Sequence, residues 1–156
     1  MQLSNNGLNL IMSFEGLRLT PYLDSANVPT IGYGTIMYPS GHAVTMNDPA
    51  ITQTQAMQYL EWEVNQKVGS AQHYIQVTVG QNQFDALISF AYNEGLGALA
   101  GSTLLKLLNS GNTGGAADQF LVWDKVRVDG QLVENQGLLN RRTAERKLFL
   151  TPDPVV

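Results

Sequence analysis

The chain has 156 residues, 44% hydrophobic and 14% charged, a size and composition that suit one folded domain with a sizeable core rather than a disordered segment. It contains no cysteine, which excludes a disulfide framework, a thiolate zinc site and a thiol nucleophile. The net charge of −4 argues against nucleic acid as the main partner, because phosphate binding feeds on a basic face.

The N-terminus, MQLSNNGLNLIMSFEG, lacks a basic leader, and Asn9 and Ser13 interrupt its apolar run. No signal peptide, transmembrane segment or stable membrane insertion is expected, and the product should start as a soluble cytoplasmic one. Residues 2–13 predict a short helix with Leu3, Leu8, Ile11 and Met12 inward. Pro21 and Pro29 stop helical continuation. The stretch TPYLDSANVPTIGYGTIMYPSGHAVT then alternates β-branched or aromatic residues with turn formers, as a small antiparallel sheet would.

From residue 52 the pattern turns helical. Thr52 with Gln55 forms a capping box ahead of Met57, Leu60, Val64 and Val68 on one face. Thr78 with Gln81 repeats the device before Phe84, Leu87, Ile88 and Ala91, and Gly95 is placed to end that helix. Ser102 caps LLKLLNS, closed by Gly111; Ala116, Phe120 and Trp123 mark another helix, and residues 137–149 a last one. The expected fold class is α+β in one domain, 1–156. A sheet lobe takes about 17–50, a helical lobe takes 1–16 and about 51–150, and residues 151–156 form a frayed tail. A ligand cleft is expected between the lobes.

Charge is uneven along the chain. Residues 125–147 carry six bases against three acids, a local +3, so the remainder carries −7. Such an end could attract an anionic polymer, or it could be the ordinary surface of a last helix.

The candidate chemistry narrows quickly. His42 and His73 lie far apart without a helical partner, so no metal site is expected. No Ser-His-Asp arrangement is suggested, and IGYGT is followed by no GK[ST], which rules out a phosphate loop. The carboxylates remain. Glycosidic cleavage needs one carboxylic acid to protonate the leaving oxygen and a second polar group to activate water or steady the cationic centre. The acid must keep its proton in a partly desolvated place. Glu15, after the apolar Leu10–Phe14 segment, suits the first role. Asp24, among Ser25 and Asn27, suits the second, and the hydroxyl of Thr30 could orient a water. Capping and solvation are the plain alternatives for the two carboxylates.

Glu15, Asp24 and Thr30 stand in E-x8-D-x5-T spacing, and this resembles the phage-type lysozymes, glycoside hydrolase family 24. FEGLRLTPYLD and TIGYGT are similar to the family's FEG-x-R-x-x-x-Y-x-D and TIGYGH. QFDALISFAYNEG resembles its central helix, STLLKLLNSG the next helix, and GLLNRRTAERKLFL its RR-containing ending; together the blocks cover residues 7–150. The resemblance implies a lysozyme-like fold with the active-site cleft between its lobes. It also implies hydrolysis of the β-1,4 bond from N-acetylmuramic acid to N-acetylglucosamine in peptidoglycan. By implication Glu15 is the general acid, Asp24 the base or electrostatic stabiliser, and Thr30 the residue that positions water.

Ile36, Tyr92, Asn93 and Thr103 would then contact saccharide, and Arg141 would pair with the acid from the far lobe. Strand packing, core packing, capping and a solvated face are the respective alternatives for Ile36, Tyr92, Thr103 and Arg141. No cofactor is implied. The partners implied are peptidoglycan glycan strands, met by a monomer, with a holin-type protein to permeabilise the host membrane. A lytic transglycosylase and a non-catalytic wall-binding module stay open as alternatives. Two departures stand out: Thr35 replaces a common histidine, so a polar link from the sheet is expected to be missing, and the acidic total would leave wall binding to the +3 end.

Overall fold

The computed structural model describes residues 1–155. It divides into two compact units: one is Ile11–Lys67, the other Met1–Leu10 with the chain from Val68 on. The fold class is the α+β class expected, with small antiparallel sheets among seven α-helices in the described residues.

Helix α1 (Asn5–Phe14), whose last four residues open the Ile11–Lys67 unit, ends at Glu15, whose N–H is shared between the carbonyls of Ile11 and Met12, both at 3.2 Å. Strand β1 (Arg18–Leu23) pairs antiparallel with β2 (Pro29–Gly32), with Tyr22 opposite Thr30 and Leu23 opposite Pro29. The register slips between Arg18 and Tyr22, where Pro21 has no N–H to give. The sequence leads one to expect the sheet to run on, and here it does not. Gly32 and Gly34 take φ of +67° and +88°, folding the chain into a tight turn in which Ile31 and Thr35 exchange both backbone hydrogen bonds. A Cβ on Gly32 would also come within 3.3 Å of the Ala56 Cβ. Beyond it only an isolated pairing of Met37 with Ala43 continues the strand-like path.

Thr35, in the histidine position, is buried, and its hydroxyl finds no hydrogen-bond partner. A buried hydroxyl without a partner costs stability. The unit closes with α2 (Gln53–Val68), whose capping box forms as expected. Gln55 N–H reaches the Thr52 hydroxyl at 3.1 Å, and Thr52 N–H reaches the Gln55 Oε1 at 2.9 Å. Ala56, Leu60, Val64 and Val68 are buried.

The second unit is built on α3 (Gln81–Glu94) and α7 (Gln136–Leu150). Phe84, Leu87, Ile88 and Ala91 are buried as their spacing predicts. Phe90 meets Phe120 and Trp123 edge to face at 5.8 and 5.2 Å, and Phe120 meets Phe149 at 5.4 Å. Around them lie α4 (Leu96–Ala100), α5 (Thr103–Asn109, capped by Ser102) and α6 (Thr113–Gln119).

Three features differ from expectation. The start of α3 lies two residues later than Thr78 suggests: Gly80 is the cap, and its N–H bonds the Gln83 side chain at 3.0 Å. The tail contributes there too, because the Asp153 carboxylate accepts from the N–H groups of Gln81 and Asn82, both at 2.7 Å. A carboxylate at a helix N-terminus satisfies free donors and complements the dipole, so this part of the tail is not frayed. Lastly, β3 (Lys125–Val128) and β4 (Gln131–Glu134) form a hairpin through Asp129 and Gly130, both at positive φ.

Candidate active site

The hairpin β1–β2 brings Asp24 and Thr30 to one place, and both hold the peptide units around Val28. Asp24 Oδ1 accepts from Ala26 N–H at 2.8 Å and Val28 N–H at 3.0 Å, closing a loop in which Asn27 takes φ of 59°. Thr30, 2% exposed, donates its hydroxyl proton to the Val28 carbonyl at 2.8 Å. Two consequences follow. Asp24 Oδ2 receives no hydrogen bond among the described residues, and the lone pairs of Thr30 Oγ1 remain free to accept one. Glu15 stands just past the end of α1 and is partly exposed. Ile36, 46% exposed, follows the Ile31–Thr35 turn, its carbonyl held by Val44 N–H at 2.9 Å. All four belong to the same compact unit.

The other named residues lie on the second unit. Tyr92 is half-buried and Asn93 exposed near the end of α3, and Thr103 is exposed at the first position of α5. Arg141 is not on a solvated face. It is buried on α7, with Nε 3.3 Å from Glu145 Oε1 and Nη2 3.4 Å from the Ser89 carbonyl. Next to it, Arg142 and Glu145 are both fully buried, with Nη1 and Oε2 3.1 Å apart, and Ser89 donates to Glu145 at 2.8 Å. Burial pushes the Glu145 carboxyl upward against the pull of Arg142, and burial likewise pushes the Arg142 guanidinium downward. Arg142 also stacks over the Phe90 ring at 5.0 Å and donates to the Asn93 side-chain oxygen. Asn93 is therefore oriented from beneath, a link that sequence reading missed because both arginines look like surface charge.

The +3 end is largely committed internally. Besides Arg141 and Arg142, Arg146 binds Asp118 and Lys125 binds Asp124, each at 2.8 Å. Among the described residues no His, Cys, Asp and Glu group could hold a metal ion.

Residues 12–145 match the phage lysozyme family. The chain belongs to that family. The endolysin of Bacillus phage B103 is 48% identical over 97% of this chain, and the chain spans 55% of that relative's length. The endolysin of Salmonella phage P22 is 38% identical over 97% of this chain and 99% of its own. The solved endolysin from Escherichia coli O157:H7 phage FAHEc1 is 47% identical, covers 96% of this chain and 94% of its own, and superposes with a TM-score of 0.86. No helix among the described residues is long and apolar enough to cross a membrane.

A concavity that the sequence does not predict lies in the Ile11–Lys67 unit. It is a hollow of about 790 Å³ whose walls include Tyr38, His42, Asp48 and Tyr59. The signal available in the sequence was the run YPSGH, a turn flanked by an aromatic and a histidine.

Proposed function

We propose that the chain is a peptidoglycan hydrolase of the lysozyme type, cutting the β-1,4 bond from N-acetylmuramic acid to N-acetylglucosamine and serving phage-driven lysis of a bacterial host. The observation that carries this reading is the joint anchoring of Asp24 and Thr30 on Val28, in a chain whose family membership is established. Glu15 is the general acid, giving its proton to the leaving oxygen. Asp24 offers Oδ2 either to a water or to the positive charge that develops at the anomeric carbon. Thr30, with its own proton engaged by Val28, accepts from that water and so turns a lone pair of the water toward the sugar. Ile36, Tyr92, Asn93 and Thr103 are the saccharide contacts. Arg141 is the supporting residue, its guanidinium held by Glu145 of α7 and Ser89 of α3.

A monomer suffices, since Glu15, Asp24 and Thr30 come from one chain. In the cell a holin-type partner would open the membrane for it.

Product analysis tests the reading. Purified peptidoglycan is digested with the parent and with Glu15→Gln, and the released muropeptides are weighed by mass spectrometry. Reducing N-acetylmuramic ends from the parent alone are expected. Anhydro ends would make it a lytic transglycosylase, and no release from either protein would leave a wall-binding module.

A further inference from the structure

The hollow in the Ile11–Lys67 unit is lined by none of Glu15, Asp24, Thr30 or Ile36, and the proposed chemistry leaves it unused. Its volume, about 790 Å³, lies in the range that organic ligands occupy. The walls are braced rather than loose. Tyr38 N–H reaches the His42 carbonyl and Gly41 N–H the Tyr38 carbonyl, each at 2.9 Å. Asp48 gathers the Tyr38 hydroxyl at 2.7 Å, Thr45 N–H at 2.9 Å and the Thr45 hydroxyl at 2.6 Å. The Ile51 N–H ties the far wall to the Leu19 carbonyl at 2.9 Å.

Accounting for the charges narrows the ligand. The lining contains no lysine or arginine, so nothing is built to hold a phosphate or a carboxylate. Its one carboxylate, Asp48, already accepts three hydrogen bonds, and those from Thr45 chiefly hold its pKa down. It is a brace rather than a cation ligand. Burial and the bond to Asp48 push Tyr38 up to about 12, so its hydroxyl stays neutral. What the hollow offers a ligand is chiefly apolar surface with hydrogen-bonding side chains beside it. The Tyr38 and Tyr59 rings stand edge to face at 5.4 Å beside Pro39 and Pro49, with the Ser40 hydroxyl and the His42 imidazole at hand. A flat C–H surface bearing neutral hydroxyl and acetamido groups matches that set, because it can lie on an aromatic ring and exchange neutral hydrogen bonds around it.

We infer that this hollow is an accessory saccharide site for one or two uncharged N-acetylhexosamine units, separate from the bond being cut. The inference rests on the glycan-hydrolase reading, which supplies the polymer that would present such units. An accessory site holds a strand near the enzyme between cuts, raising its effective concentration on an intact wall more than on short fragments.

Two measurements test it. In the folded Glu15→Gln protein, titration with N-acetylglucosamine oligomers followed by amide NMR should shift Gly41, Ala43 and Ala50, residues remote in sequence from Glu15. Absence of those shifts overturns the inference, as does their appearance with a sugar-free wall peptide instead. Separately, Ala50→Trp, which fills the hollow from its exposed side, should lower the ratio of activity on intact walls to activity on short soluble fragments about five-fold. An unchanged ratio overturns it. The titration needs no turnover, so it can fail while the parent still releases reducing ends, and it can succeed where the hydrolase reading fails.

Discussion

Thr30 shows how much a single hydroxyl can be asked to do. Its side chain is buried and donates to the Val28 carbonyl, which leaves only lone pairs for a water. Thr30→Val keeps the shape and removes the acceptor. Muropeptide release should fall about 10²-fold, the scale of a misplaced reactant. Stability should fall by only about 1 kcal/mol, one hydrogen bond. Thr30→Ser should recover most of the turnover. A valine variant that digests walls at the parent rate, or one whose thermal melt collapses, would make Thr30 a structural residue. The spacing of Glu15, Asp24 and Thr30 was legible in the sequence, and DSAN could be read as a turn. That Asp24 and Thr30 share the Val28 peptide was not, because a side chain's choice among nearby backbone groups depends on the register of the hairpin. Arg142 was less legible still. RRTAER reads as a solvated helix face, and only the fold reveals Ser89, Phe90 and Asn93 beneath it.

At the scale of elements, the strongly periodic helices were predictable and the exceptions have identifiable causes. The capping signature at Thr52 is real, whereas that at Thr78 is outcompeted by Gly80 and Gln83 with Asp153 brought from the chain end. No local pattern contains the last of these. The β3–β4 hairpin could have been read from VRVDGQLVE, where Asp-Gly sits between alternating residues. The contact of α3 with α7 makes the sharpest stability prediction. Glu145 is the buried carboxylate between Arg141 and Arg142, with Ser89 as a further donor. Glu145→Gln retains volume but removes the carboxylate that Arg141 and Arg142 share, while Arg142 keeps Glu94 at 3.7 Å. It should cost about 3–5 kcal/mol in denaturant unfolding, the usual penalty for removing one side of a buried pair. The double change to Gln at 145 and Met at 142 should recover part of that loss. A cost below about 1 kcal/mol for Glu145→Gln would mean that the ion pair is not closed to solvent.

For the whole molecule, fold class and family follow from features spread along the chain, the helix periods and the ordered motif blocks. The charge pattern does not transfer so directly, because sequence position says nothing about which way a side chain faces. The +3 count over residues 125–147 suggested an attractive end for an anionic wall, a contact that salt would screen. In the folded protein Arg141 and Arg142 are buried with Glu145, while Arg146 and Lys125 are matched by Asp118 and Asp124. The net charge of −4 is then the quantity an anionic wall meets at a distance. Salt should help rather than hinder. Raising NaCl from about 0.01 M to 0.15 M shortens the screening length from roughly 30 to 8 Å, which removes long-range repulsion and leaves short-range contacts with the glycan in place. The share of Glu15→Gln protein that sediments with purified walls should rise across that range and then level off. A steady fall with salt would mean that the exposed remainder of the basic segment, Arg127 and Lys147 with the partly exposed Lys125 and Arg146, steers the approach despite the acidic total.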